Sequence, residues 1–127
     1  FVKNLPSDAN MTYVIVQHLS PHYKTAFAQI IARDTSLTVM DVKDGVRPQK
    51  NTIYVTPSGQ NIDVFEGRLR LKNNVENRIS HPKPSIDHFF TLLAKTQTNR
   101  AVGIILSGTG SDGSRGIEAI HAQKGKV

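Results

Sequence analysis

The chain has 127 residues, with 16 lysines and arginines against 10 aspartates and glutamates, a formal net charge of +6 at pH 7. That length suits one compact domain, and 38% apolar residues together with nine glycines predict a packed core rather than a disordered chain. The lack of cysteine excludes a disulfide framework, a thiolate metal site and a cysteine nucleophile.

No apolar run approaches the roughly 18 residues of a membrane span, so direct membrane insertion is not expected. Phe1–Asn10 lacks the basic start and apolar stretch of a secretory signal, and a cytoplasmic protein is expected. Most of the positive excess lies in the second half, and a basic balance by itself fits nucleic-acid binding. Against that, no run of basic residues is longer than two, aromatic residues are 6% and tryptophan is absent. A general attraction to acidic partners is the preferred reading, with no nucleic-acid partner.

Thr12–Gln17 is apolar and β-branched and reads as a buried strand. His18-Leu19-Ser20-Pro21 breaks it; Ser20 suits an N-cap and Pro21 the first helical position. Tyr23, Phe27, Ile30 and Ile31 follow at helical spacing and give that helix one apolar face. Leu37–Lys43 is the next strand, closed by Asp44-Gly45. Ile53–Thr56, Asn61–Phe65 and Arg68–Lys72 read as a different kind of run. Ile62/Val64 and Leu69/Leu71 alternate with polar residues around Glu66-Gly67, predicting a β-hairpin with one wet face. Arg68, Arg70 and Lys72 fall on its solvent side, where a solvated face is the preferred reading and a binding stripe the alternative.

Asn73–Pro84 is polar, holds two prolines and reads as a long loop. Ser85 suits the cap of a helix carrying Ile86, Phe89, Phe90 and Leu93 on one face. Ala101–Ser107 is the clearest buried strand, Gly108–Gly113 a glycine-rich turn and Ser114–Ala122 a helix, and Lys126-Val127 fits the opening of one more strand. Strands alternating with helices predict a doubly wound, three-layer α/β/α fold with a mostly parallel sheet and an antiparallel β-hairpin. Sites in such sheets lie beyond the carboxyl ends of the strands. Gln17-His18 and Ser107–Asp112 place polar groups there.

Gly108-Thr109-Gly110-Ser111-Asp112-Gly113 matches G-x-G-x-x-G between a strand and a helix, the setting of a dinucleotide fingerprint. It equally fits a tight turn that needs glycine for its backbone angles. No acidic residue some 20 positions later is there to hold a ribose. His18 and Asp112 both follow strands, so one sheet edge can bring them together as the base half of a nucleophilic triad. A structural hydrogen-bonding histidine is the plainer reading. No G-x-S-x-G elbow exists, and Ser20, Ser107, Ser111 and Ser114 suit caps and turns as well as a nucleophile. His18 and His22 do not share a helical face, so no metal is expected. His81, His88 and His121 have no evident partner and read as surface residues.

The residues Val14-Ile15-Val16-Gln17-His18-Leu19-Ser20-Pro21, Ile53-Tyr54-Val55-Thr56-Pro57, Lys83-Pro84-Ser85-Ile86-Asp87 and Ala101–Gly113 resemble, in order and separation, the catalytic domain of the chemotaxis protein-glutamate methylesterases, including forms fused to a receptor methyltransferase. The resemblance covers essentially the whole chain and is most specific in the last segment. It implies a serine-type hydrolase that demethylates glutamate methyl esters and deamidates glutamines on chemoreceptors, without a cofactor. His18 falls on the family's catalytic histidine, Asp112 on its catalytic aspartate, and the backbone of Thr109 on its oxyanion region. Stand-alone members usually carry methionine at that last position. The Pro84-Ser85-Ile86-Asp87 segment falls near the active-site edge, and a helix cap with Asp87 in the first turn explains it equally well.

The resemblance places the family's Ser-x-Gly-Gly nucleophile turn upstream of Phe1, and its last strands and Gly-Met-Pro segment beyond Val127. Residues 1–127 are therefore expected to be a partial catalytic domain, inactive alone for want of the serine. The implied partners are the methylated cytoplasmic region of chemoreceptors and an attached response-regulator or receptor methyltransferase domain. Two alternatives stay open: a non-catalytic regulatory or docking module of a signalling fusion, and nucleotide binding through Gly108–Gly113.

Overall fold

Three short β-branched runs pair in parallel to form the central sheet of the computed structural model, which describes residues 1–17, 27–57, 59–73, 85–106 and 111–127. They are β1 (Thr12–Ile15), β2 (Thr38–Asp41) and β3 (Thr52–Val55), in the order β1-β3-β2. Thr12 and Thr38 both stand level with Thr52. β3 has a neighbour on each side and is buried at all four positions, which places Ile53–Thr56 in the parallel sheet rather than with the alternating hairpin runs. β1 is half-buried throughout, not buried as the sequence suggests, because among the described residues it pairs with β3 alone.

Side chains alternate across the sheet, as the period of two requires. Ile53 and Val55 of β3 face Ile31 and Leu37, together with Tyr13 and Ile15 of β1. Tyr54 points the other way, into a cluster with Val42, Ile62, Phe89 and Phe90. Helix α1 (Phe27–Ala32) therefore covers one face, while the hairpin and helix α2 (Ser85–Gln97) cover the other. This is the three-layer α/β arrangement. Tyr54 and Ile53 are essentially sealed from water, and burying side chains of this kind stabilises by about 1.5–3 kcal/mol each. Ile31 lies in the core, but Ile30, read as part of the same apolar face, is 53% exposed. The helix start expected at Ser20 and Pro21 lies outside the described residues.

β4 (Gln60–Phe65) and β5 (Arg68–Asn73) form the expected antiparallel hairpin, with Phe65 opposite Arg68. Its two turn residues, Glu66 and Gly67, both take positive φ, at 52° and 74°, as a right-twisted two-residue hairpin requires. Gly45 N–H donates to the Leu69 carbonyl (2.8 Å) and Leu69 N–H to the Val46 carbonyl (2.9 Å), tying the hairpin to the loop after β2. The basic stripe is engaged rather than simply solvated. An Arg68 guanidinium N–H donates to the Gly45 carbonyl (2.9 Å), Arg70 pairs with Asp44 (3.1 Å) and Lys72 with Asp63 (2.8 Å). Of the loop predicted over Asn73–Pro84, Asn73 belongs to β5 and residues 74–84 lie outside the described residues.

Helix α3 (Ser114–Ala122) has the bounds read from the sequence. The segment before it departs from the sequence reading. Among its described residues, 101–106 form no ladder, only one parallel bridge between Val102 and Lys126. Gly103 N–H donates to the Lys126 carbonyl (2.8 Å) and Lys126 N–H to the Ala101 carbonyl (3.0 Å). Ala101 is buried, yet Ile104, Ile105 and Leu106 are 50%, 51% and 69% exposed. A run this apolar reads as a buried strand because periodicity reports what a segment could bury, not whether a second strand lies against it. At Lys126-Val127, expected to open one more strand, the structure has this single bridge at Lys126 and no strand.

Candidate active site at the facing helix starts

The carboxyl end of the sheet is pinned where β1 gives way to the first candidate residue. Thr56 donates to the Ile15 carbonyl twice, through its backbone N–H (3.0 Å) and its hydroxyl (2.8 Å). A Gln17 amide N–H reaches the Thr56 carbonyl (3.4 Å). These bonds hold the exit of β1 against the end of β3, at the edge where sites of parallel sheets form. His18 is the next residue. It lies outside the described residues, as do Thr109, Ser20 and Ser107, so the pairing of His18 with Asp112 and the role of the Thr109 backbone do too.

Asp112 is described, and its carboxylate has a task that the sequence does not announce. Oδ1 accepts the backbone N–H of Asp87 (2.8 Å) and Oδ2 that of Ile86 (3.1 Å). Asp112 makes further interactions beyond these two. The first amides of a helix have no partner within it, and here Asp112, from the turn before α3, satisfies two of those of α2. The sequence assigns that service to Ser85. Asp87 returns it: its Oδ1 accepts the N–H of Gly113 (2.9 Å) and of Gly116 (2.7 Å), at the start of α3. Each helix start is thus capped by a carboxylate from the other. Both carboxylates sit at the positive ends of helix dipoles, where negative charge is favoured.

Two glycines permit this geometry. Gly113 has φ +105°, a backbone region that residues with a Cβ rarely enter. A Cβ on Gly116 would stand 2.5 Å from the Phe90 Cβ and 3.2 Å from the Asp87 Cα, so only a bare backbone lets α3 approach α2 closely enough for its amide to reach Asp87. The same bonds bear on the dinucleotide reading of Gly108–Gly113. A pyrophosphate would need the amides opening the following helix, and those of Gly113 and Gly116 are already held by Asp87. Among the described residues no group of acidic and histidine side chains could hold a metal ion.

The sequence reading also misses a partner for His88. Its Nε2 faces Asp63 Oδ1 at 2.5 Å, while Lys72 reaches Asp63 Oδ2. A carboxylate can only accept, so the imidazole carries its proton on Nε2. Asp63 is 14% exposed and joins the hairpin to α2. Burial opposes its charge, but the hydrogen bonds and positive charges of Lys72 and His88 together outweigh that and hold the carboxyl below its ordinary 3.8. A carboxyl with a lowered folded pKa contributes stability that is present above 3.8 and lost as pH falls through the folded value. Urea unfolding from pH 6 down to pH 2 should therefore show wild type above Asp63→Asn at the neutral end, with the two curves converging below pH 3.8. A constant gap across that range would contradict this account. His121 is exposed on α3, and His81 lies outside the described residues.

Three parallel strands with helices on both faces, an antiparallel hairpin beside them and an aspartate just before a helix define an α/β domain of the doubly wound class. The CheB methylesterase family matches residues 1–127, and the chain belongs to that family. The protein-glutamate methylesterase/protein-glutamine glutaminase 1 of Myxococcus xanthus is 30% identical over 90% of this chain and 34% of its own length. The Bacillus subtilis protein-glutamate methylesterase/protein-glutamine glutaminase is 30% identical over 92% of this chain and 33% of its own. That of Idiomarina loihiensis is 34% identical over 94% and 32%. The chain thus spans about a third of the length of the curated relatives it matches. The crystal structure of the Thermotoga maritima CheB methylesterase catalytic domain superposes with a TM-score of 0.80 at 23% identity, over 98% of this chain and 67% of that one. The sequence resemblance and the predicted fold class are both borne out.

Proposed function

We propose that the protein works in bacterial chemotaxis signalling as a serine-type hydrolase, demethylating glutamate methyl esters and deamidating glutamines on the cytoplasmic region of chemoreceptors. The observation that carries this reading is the family match along the whole chain, joined to relatives whose names state both activities. No Ser-x-Gly-Gly occurs within residues 1–127, and this reading takes the nucleophilic serine from outside them. A response-regulator or receptor methyltransferase domain is the expected companion. No described helix is long and apolar enough to cross a membrane.

In this reading the serine hydroxyl attacks the ester carbonyl while His18 takes its proton. Asp112 orients the imidazole and favours the charged ring formed in that step. The Thr109 amide helps to hold the oxyanion, and such a donor is worth roughly 3–4 kcal/mol of transition-state stabilisation in other hydrolases. His18 returns the proton to the departing methanol, and water then attacks the acyl-enzyme to give glutamate and free serine. With a glutamine side chain the leaving group is ammonia. In a protein spanning the family's full catalytic domain, His18→Ala should lower methanol release from methylated receptor by a factor of at least ~1,000. Near-normal turnover would overturn the assignment.

A further inference from the structure

We infer that Asp87 is the positioning residue for Asp112, an inference that rests on reading Asp112 as the carboxylate that orients His18. An acidic residue in the first turn of a helix ordinarily serves its own helix, by dipole or by capping. Asp87 instead sends Oδ1 to two amides at the start of α3, those of Gly113 and Gly116. Gly113 follows Asp112 directly, so the first of these bonds fixes the peptide unit joining the two. The backbone N–H of Asp87 meanwhile donates to Asp112 Oδ1.

The two residues are therefore linked in a closed ring. The Asp87 amide runs to the Asp112 carboxylate, and the amide next after Asp112 runs back to the Asp87 carboxylate. Such a ring fixes both the place and the rotation of the Asp112 side chain. With one direction of each Asp112 oxygen taken by a backbone amide of α2, the directions left for an imidazole are set by the helix and not by a free rotor. The bond from Gly116, one helical turn further on, keeps the ring closed by holding α3 against α2. Removing the Asp87 carboxylate leaves two helix-start amides without an acceptor and frees the turn that presents Asp112.

The experiment compares Asp87→Ala and Asp87→Asn, since asparagine keeps an Oδ1 acceptor for Gly113 and Gly116. In a protein spanning the family's full catalytic domain, Asp87→Ala should lower kcat for methanol release about 100-fold, the scale of a misplaced catalytic group, with KM nearly unchanged. Asp87→Asn should restore most of it. Equal loss in both variants, or loss confined to KM, would overturn the inference. Amide exchange on residues 1–127 gives a readout independent of turnover. Asp87→Ala should speed exchange at Gly113, Gly116 and Ile86, whose amide is bonded to Asp112, and Asp87→Asn should not. An unchanged Ile86 amide in Asp87→Ala would show that Asp112 keeps its place without Asp87. Absence of methanol release from the wild type would strike the proposed function instead, and the exchange data would still decide the coupling.

Discussion

Asp112→Ala should lower the melting temperature of the chain by about 10 °C, although the family resemblance gives the residue only a catalytic part. Its carboxylate accepts the Ile86 and Asp87 amides at the start of α2. Hydrogen bonds to a charged acceptor are each worth about 1.5–3 kcal/mol, and removal of a cap costs about 0.5–2 kcal/mol. Both amides are partly solvated once the side chain is gone, so a net loss of about 2–4 kcal/mol is expected, and a loss of this size moves a melting point by about 4 °C per kcal/mol in a chain of this length. Asp112→Asn keeps one acceptor oxygen and should lose about half as much. Activity should rank the two differently. On the proposed mechanism, in a protein with the full catalytic domain, Asp112→Asn should already lower kcat by about 10,000-fold, because an amide would not hold His18 in the required tautomer. Thermal melts of the three proteins followed by circular dichroism, with methanol release beside them, separate the two tasks. A melting point for Asp112→Ala within 2 °C of wild type (about 0.5 kcal/mol) would mean that the carboxylate does not cap α2.

What was legible in the sequence is what is local. Ser114–Ala122 is announced by the glycines before it, and the hairpin by Glu66-Gly67 between alternating runs. Phe89 and Phe90 were readable as the buried side of α2 from spacing alone. The cross-capping was not legible, because Asp87 and Asp112 are 25 residues apart and a serine at the start of α2 already offers a sufficient local explanation. His88 and Asp63 hide for the same reason, since no period on α2 says which hairpin residue will stand opposite. The exposed Ile104, Ile105 and Leu106 show the converse limit. Composition states what a segment could bury, and the tertiary partner decides whether it does. His18 and Thr109 are legible only through the family's motifs, for a lone histidine after a strand has no local signature of catalysis.

Gly116→Ala tests whether the close approach of α2 and α3 is what brings the two carboxylates to their amides. In an isolated helix this exchange stabilises by about 1 kcal/mol, so its intrinsic sign is favourable. Against it, the new Cβ would stand 2.5 Å from the Phe90 Cβ, 3.1 Å from the Phe90 Cδ2 and 3.2 Å from the Asp87 Cα. Two of these are atoms at or next to the backbone, which cannot rotate aside, so the helices must part. Overpacking of this kind costs about 1–3 kcal/mol and sometimes more, and parting the helices also stretches the Gly116 bond to Asp87. The net expectation is a loss of about 2 kcal/mol. Gly103→Ala is the matched control. Its Cβ meets the Ile120 Cδ1 at 2.7 Å and the Ile117 Cδ1 at 3.0 Å, both far ends of side chains able to change rotamer, and so should cost less than about 1 kcal/mol. Urea titrations should rank the proteins wild type, Gly103→Ala, then Gly116→Ala. A Gly116→Ala protein as stable as wild type would show that the helices have slack at this contact. In that case the reach of Asp87 to the amides of α3 would not depend on a bare backbone at position 116.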